Sequence, residues 1–437
     1  MGNIDQNGCT EMIGSENSNT GLNRRRDICF WSLCASVFLT GVFNGTFQVL
    51  AFEWIFIYIY IVLLRPLPSI MATIRQNQAV FGLAVLWGAS VTVSLLTSPL
   101  HLSNEPVAVI RYVQTLSHVV FFLFVRNFIG QHPISLRWPL LAIPLSVVVV
   151  SAVMSFLLYG EDLTSADTAN RWFGNHPLNA HMRHTGYLIT AGIGILIGFC
   201  LSGHERAANR SAVLLLLIVL FTFLFWTGGR GAVLSVVFAF AATGLVVWIK
   251  GGSVRFLGIA FIVSLFAGLV LSELLAVFPW NGVLQMVFRS IQSQDLGQLS
   301  TGRIDIWRSA WDSVKDHLGF GLGPHGYWFM PNRIFGVQPH SVVLQFLVEW
   351  GGVGALLFTT LLAIGFYRGL REHVLDVKIN MNPTRIAAGA LILALAVHGL
   401  YDGTFFHPQP SLYLAFCFAV WSSPRQRVSP ASALGPF

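Results

Sequence analysis

The sequence predicts an all-α, polytopic integral membrane protein with about twelve transmembrane helices and a large, partly helical loop between the ninth and tenth. Three observations lead there. Hydrophobic residues fill 54% of the 437 positions and charged residues only 10%, against about 25% in soluble domains. Apolar stretches long enough to cross a bilayer recur along most of the chain, and mean hydropathy is +0.66. One polar interruption, residues 279–339, breaks the pattern, and a connector of about 60 residues in a compact protein is usually functional.

Taken in order, residues 1–23 are polar and rich in Asn, Gly and Ser. They read as a disordered cytoplasmic tail with no signal peptide. A hydrocarbon core of about 30 Å takes roughly 20 apolar residues per helix. On that measure the region 24–278 holds nine spans: 27–46, 48–64, 79–98, 107–126, 138–159, 184–202, 211–228, 231–249 and 255–278. Asn44, Gly45 and Glu53 crowd the first junction, so a re-entrant hairpin is the alternative there. The region 340–423 holds three more, 340–366, 385–402 and 408–423, and 424–437 is a second cytoplasmic tail. Five cysteines, Cys9, Cys29, Cys34, Cys200 and Cys417, lie outside the loop without metal-ligand spacing, which argues against structural disulfides.

Charge gives the orientation. With the N-terminus and Arg24, Arg25 and Arg26 inside, the cytoplasmic side also receives Arg65, Arg75, Arg126, Arg137, Arg206, Arg210, Lys250, Arg255, Arg368, Arg371, Lys378, Arg385, Arg425 and Arg427, 17 of the 26 basic residues. This is the positive-inside bias. Both termini are then cytoplasmic, and the loop is periplasmic in a Gram-negative cell. The net charge of +7 therefore needs no nucleic acid to explain it. The outside keeps Arg111, Arg171, Arg183, Arg230, Arg289, Arg303, Arg308, Lys315 and Arg333.

Within the loop five basic residues face Asp295, Asp305, Asp312 and Asp316, a balance of +1. Positive charge must act there at single points. Ser300 or Thr301 can cap a helix from about 302 to 317 that places Arg303, Trp307 and Trp311 on one face, with the aromatics at the membrane surface. The run Gly319-Phe-Gly-Leu-Gly-Pro-His-Gly326 reads as tight turns. It brings backbone amides and His325 close to anything bound beneath.

A few polar residues could carry chemistry. Arg230 stands in Gly228-Gly-Arg-Gly231, a short turn between two spans. An arginine in the apolar slab costs roughly 2.5–3.5 kcal/mol on insertion scales, so it faces a ligand or snorkels to headgroups. Arg303 is either a ligand contact or a surface charge near Asp305. Arg183, between His181 and His184, opens a span, while Arg308, Arg289 and Arg333 are solvated loop arginines in the simpler reading. His340 follows Pro339 at the mouth of a span, and imidazole suits proton transfer near neutrality. Glu349, nine residues on, points to the opposite side of that helix and reads as structural. Asp402 and His398 share a helix face, with His407 following; Asp402 could contact substrate or Arg230. No carboxylate cluster, zinc motif, phosphate-binding glycine loop or serine elbow is present, so no metal or other cofactor is expected. Isolated arginine forks at the membrane surface suit a lipid-linked phosphate or pyrophosphate. Such a leaving group is already anionic, and one base then suffices to activate an acceptor hydroxyl.

The order of these pieces resembles the O-antigen ligase family, within the wider group of ligases and O-antigen polymerases. The matching pieces are TGGRGAVLS (227–235), STGRIDIWRSAW (300–311), GFGLGPHGY (319–327) and PHSVVLQFLVEWGGVG (339–354). The resemblance implies an inner-membrane glycosyltransferase with a periplasmic site. It would move O-antigen polysaccharide from undecaprenyl pyrophosphate to lipid A-core, without metal or ATP and with inversion at the anomeric carbon. The family's two arginines and one histidine fall on Arg230, Arg303 and His340, the arginines holding pyrophosphate and the histidine deprotonating the acceptor. Arg183, Arg308, His325, Tyr327 and Asp402 are the expected substrate contacts. Partners would be the lipid-linked donor, the lipid A-core acceptor and membrane lipids. Polymerases that extend a lipid-linked glycan and protein O-oligosaccharyltransferases are alternatives. So is a transporter, although no inverted repeat is visible and the candidate charges gather on one face.

Overall fold

The computed structural model describes residues 7–132, 134–174, 181–201, 207–292, 300, 302–331, 333–334, 336, 338–376 and 382–423, with side chains from residue 20 onward except that of Arg183. Arg206, Asp295, Thr301, Lys378, Arg425 and Arg427, together with the tail 424–437, lie outside them. Among the described residues there are helices, turns and no strand.

Nine helices are long and apolar enough to cross a membrane among the described residues. They are α2 (Thr46–Leu64), α4 (Gln78–Leu96), α5 (Pro106–Gln131), α6 (Arg137–Tyr159), α9 (Ala207–Trp226), α10 (Arg230–Ile249), α11 (Arg255–Leu274), α15 (Val342–Leu370, prolonged to Leu375 by a π turn) and α16 (Pro383–Tyr401). Three further expected spans fall on α1 (Asn7–Val42), α8 (Met182–Phe199) and α17 (Pro408–Ser422). α8 is apolar but short. α1 starts at Asn7, within the stretch expected as a disordered tail. Short helices fill the connections: α3 (Leu67–Gln76), α7 (Ala166–Gly174), α12 (Val283–Ile291), α13 (Arg303–Asp316) and α14 (Gly326–Phe329).

α16 is the axis of the bundle, packed on α8, α10 and α17. Its sequence explains why. Ala387, Ala388, Gly389 and Ala390 leave almost no side-chain bulk, and α8 answers with Gly194 and Gly198. A Cβ on Gly198 would lie 2.3 Å from the Ala387 Cα, and one on Gly194 2.7 Å from the Leu391 Cα. Small residues let two backbones meet, which is how helices gain packing energy where lipid removes the hydrophobic drive between them. The outer helices instead expose Phe156, Leu215, Phe266 and Leu356, as a lipid-facing surface requires. Cys29, Cys34, Cys200 and Cys417 are free and buried.

The glycine run enters the bundle, where the sequence suggested turns lying over a ligand. α15 breaks at Gly351 (φ 66°, ψ −175°), which strips backbone groups of their helical partners. The run repairs the break. Leu322 N–H donates to Val348 O (2.7 Å) and Gly323 N–H to Glu349 O (3.0 Å), while Gly352 and Val353 N–H donate to Leu318 O (2.6 Å) and Gly319 O (3.2 Å). Irregular backbone within an apolar bundle is tolerated only when it is satisfied in this way. Gly321 (φ 73°) must be glycine because a Cβ would stand 2.5 Å from Gly351 N. The loop is thereby fixed to α15, and α13 with it.

Candidate functional site

The chain after α16 provides the central carboxylate. Asp402 caps that helix, its amide donating to His398 O at 3.0 Å, and its own backbone is extended (φ −144°, ψ 166°). This turns the side chain toward the start of α15 and the first turn of α13. Oδ1 accepts from Gly403 N–H at 2.8 Å and from His340 Nδ1 at 3.0 Å, and Oδ2 lies 3.3 Å from Arg303 Nη2. Burial alone would push this carboxyl up. The His340 hydrogen bond and the charges of Arg303, His398 and His340 outweigh it and hold Asp402 well below the usual carboxylate range. An ionised Asp402 can only accept, so His340 Nδ1 donates, and in the neutral ring the lone pair then falls on Nε2.

His340 sits outside α15, not in its first turn. Ser341 is the extended residue before that helix, and His340 itself is left-handed (φ 49°). That conformation costs a residue with a Cβ roughly 1–2 kcal/mol and turns the ring back toward Asp402. Trp307 Nε1 donates to His340 O at 3.4 Å. A Cβ on Gly336 would be 3.4 Å from His340 Nε2, so a glycine keeps side-chain bulk away from the lone pair.

Arg303 is the first residue of α13. Its cap is Gly302 (φ 76°), with no side-chain capping bond, and Arg303 N–H instead donates to Ser300 O at 3.3 Å. Ser300 thus contributes its carbonyl to the first turn. The buried face of α13 is Ile306, Ala310 and Val314, against Val348 and Tyr327. Trp307 turns inward onto His340 and only Trp311 is exposed, so the aromatic pair is split between site and surface. Arg303 Nε is buried without a hydrogen-bond partner.

Arg230 opens α10, with Gly228 (φ 62°) making the turn before it. Its Nη1 donates to Ser290 Oγ of α12 at 3.2 Å, and the neighbouring Arg289 donates to Gly228 O and Trp280 O. Gly231 receives the hydroxyl of Tyr401 on its carbonyl at 2.9 Å, and a Cβ there would be 2.8 Å from the Tyr401 ring. Tyr401 precedes Asp402. One two-residue segment therefore ties the Arg230 turn, Arg303 and His340 together.

With this geometry in hand, residues 212–359 match the family model described as O-antigen ligase. The chain carries a domain of the O-antigen ligase family. No curated protein matches the chain significantly. The match supports glycan transfer of the O-antigen ligase and polymerase type, by a glycosyltransferase-like enzyme on lipid-linked substrates. Arg230, Arg303 and His340 lie inside the family stretch, whereas Asp402 lies outside it.

The remaining expected residues scatter. Arg308 is exposed on the far side of α13 and pairs with Asp305 at 3.3 Å. Tyr327 is core, packed with Ile306 and Val348, and burial raises its hydroxyl pKa. His325 stacks on Phe406 at 5.1 Å between centroids, and burial together with Arg111 pushes it down to about 4. Arg183 lies in the first turn of α8, its side chain outside the described residues. Glu349 bonds Gln345 at 3.3 Å and is buried, as a structural group would be. His398 bonds Thr190 at 3.2 Å, and the His407 ring lies tilted against that of His184, 3.9 Å between centroids. Burial, then the His184 charge, drives His407 well below the ordinary imidazole value. Among the described residues no three His, Cys, Asp or Glu side chains converge as metal ligands would.

Sequence reasoning missed Tyr401, which no motif marks, and Arg111. The signal for Arg111 was present: an arginine one turn inside an apolar span faces protein. Counting it only toward orientation hid that.

Proposed function

We propose that this chain transfers O-antigen polysaccharide from undecaprenyl pyrophosphate to lipid A-core on the periplasmic side of the inner membrane. The supporting observation is the Asp402 carboxylate shared by His340 and Arg303. It aligns a base with a cation at one point. His340 Nε2 takes the proton of the acceptor hydroxyl as that oxygen attacks the anomeric carbon of the donor sugar. The bond from that carbon to the pyrophosphate oxygen breaks, and the electron pair leaves with the pyrophosphate. Arg303 and Arg230 hold the phosphates and stabilise the charge that grows on them. Attack opposite the leaving group inverts the anomeric centre. No residue need act as a general acid, because the leaving group is stable as an anion.

Asp402 has two tasks in this scheme. It fixes the His340 tautomer, and it offsets the imidazolium once the proton has moved. Extension of a second lipid-linked glycan, the polymerase reaction, would use the same groups with another acceptor. The deciding experiment is reconstitution of the full chain with lipid-linked glycan and two competing acceptors, lipid A-core and a second lipid-linked glycan. Capped lipid A-core is the expected product, and chain extension alone would assign a polymerase.

A further inference from the structure

The bend after α16 carries Asp402 at one end and His407 at the other, and its place is set from α5. Arg111 Nη2 donates to Phe405 O at 2.7 Å, and the guanidinium lies over the Phe406 ring, 5.0 Å from its centroid. The ring of His325, from the loop, stacks on that same phenyl ring. Arg111 is buried, yet Arg308, also among the nine arginines and lysines assigned to the outside, is exposed to solvent. A buried arginine that reaches a carbonyl and a phenyl ring in one short segment fixes that segment in two directions.

The bend is held at other points too: Thr404 is buried, Phe405 packs against the core, and Gln338 Nε2 lies 3.5 Å from His407 Nε2. Gly403 and Thr404 come between Asp402 and Phe405, and Gly403 itself has no side chain to anchor. Its amide is committed to Asp402 Oδ1. Ser411 Oγ also donates to Phe405 O at 3.2 Å, but from the helix that the bend leads into. On the Phe405 carbonyl the contact from a separate helix is that of Arg111, while His184 and Tyr187 of α8 meet the His407 ring at the far end of the bend.

We propose that Arg111 is a positioning residue for the transfer site: by clamping Phe405 and Phe406 it sets the place of Asp402, and through Asp402 the orientation of His340 and Arg303. The inference rests on the reading of Asp402 and His340 given above. Arginine suits the task because one planar group serves as donor and as cationic face, which lysine does not reproduce.

The test is a double-mutant cycle on the full-length protein, reconstituted with lipid-linked O-antigen donor and lipid A-core. Arg111→Met should lower kcat by about 10-fold or more, because a small displacement of catalytic groups is costly, with the donor KM changed less than about 2-fold. In an Asp402→Asn background the same substitution should add less than about 2-fold, as residues acting through one another are non-additive. Arg111→Lys should fall between wild type and Arg111→Met. Phe406→Leu keeps the cation and removes the ring, and should reproduce part of the kcat loss if Arg111→Met does not fold. Full activity of Arg111→Met overturns the proposal, as does a rise in donor KM that persists beside Asp402→Asn, the mark of direct substrate contact. If Asp402→Asn and His340→Ala retain normal transfer, the site reading itself fails. If those two strongly lower transfer while Arg111→Met and Phe406→Leu are normal, only the positioning role falls.

Discussion

His340 Nδ1 and Asp402 Oδ1 stand 3.0 Å apart, although 62 residues separate them in the chain and each lies just outside a different membrane-spanning helix. The Asp402 side chain is buried, at 6% exposed, and that of His340 is partly buried, at 12%. A carboxylate so placed gives the imidazole one orientation and one tautomer. The same carboxylate holds Arg303 by its other oxygen, so base and cation cannot drift independently. The reaction scheme depends on that shared support.

The first expectation concerns the base. His340→Ala should abolish transfer while the chain still inserts and accumulates normally. In a strain lacking its own ligase, the variant should give lipopolysaccharide with no O-antigen ladder. A normal ladder would remove His340 from the mechanism.

Arginine geometry gives the second. Arg230→Lys keeps a positive charge but loses the fork that binds a phosphate by two parallel bonds. Turnover in the reconstituted system should fall by about 10-fold or more, a loss of one good charge-assisted contact. Full activity of the lysine variant would mean that Arg230 only reaches for headgroups.

Third, the repair of the α15 break should be sensitive to volume. Gly321→Ala adds a Cβ 2.5 Å from Gly351 N at a left-handed position. Strain alone costs roughly 1–2 kcal/mol, and the clash adds to it. Thermal unfolding in detergent should shift downward by several degrees, with activity lost in parallel. An unchanged midpoint would show that the run does not brace α15.

Fourth, acid should weaken the loop through His325. Its folded pKa is lowered from 6.5 to about 4, so the fold prefers the neutral ring. The unfolded chain takes up the proton first as pH falls below 6.5, and stability declines until the folded value is reached. At pH 5 the loss is about 2 kcal/mol. His325→Asn, which cannot titrate, should flatten the pH dependence of the unfolding midpoint between pH 7 and pH 5. An equal slope in both proteins would place the acid sensitivity elsewhere.

The sequence by itself determined the all-helical membrane class and placed Arg230, Arg303 and His340 among the residues to watch. It could do so because apolar length and isolated charge are local properties: a span shows itself in about 20 residues, and an arginine beside glycines needs no partner to stand out. The apolar runs that fall on α1, α8 and α17 were legible too, although nothing local fixed the lengths of these helices. The tertiary structure alone decided what those residues do together. That Asp402 joins Arg303 and His340, that Tyr401 brings in the Arg230 turn, and that the glycine run closes a gap in α15 all depend on helix termini far apart in sequence meeting at one end of the bundle. The meeting is governed by packing of small residues around α16, and no spacing within a single segment encodes it. Arg111 shows the same limit: its position in a span was visible, but the bend it clamps lies 294 residues away.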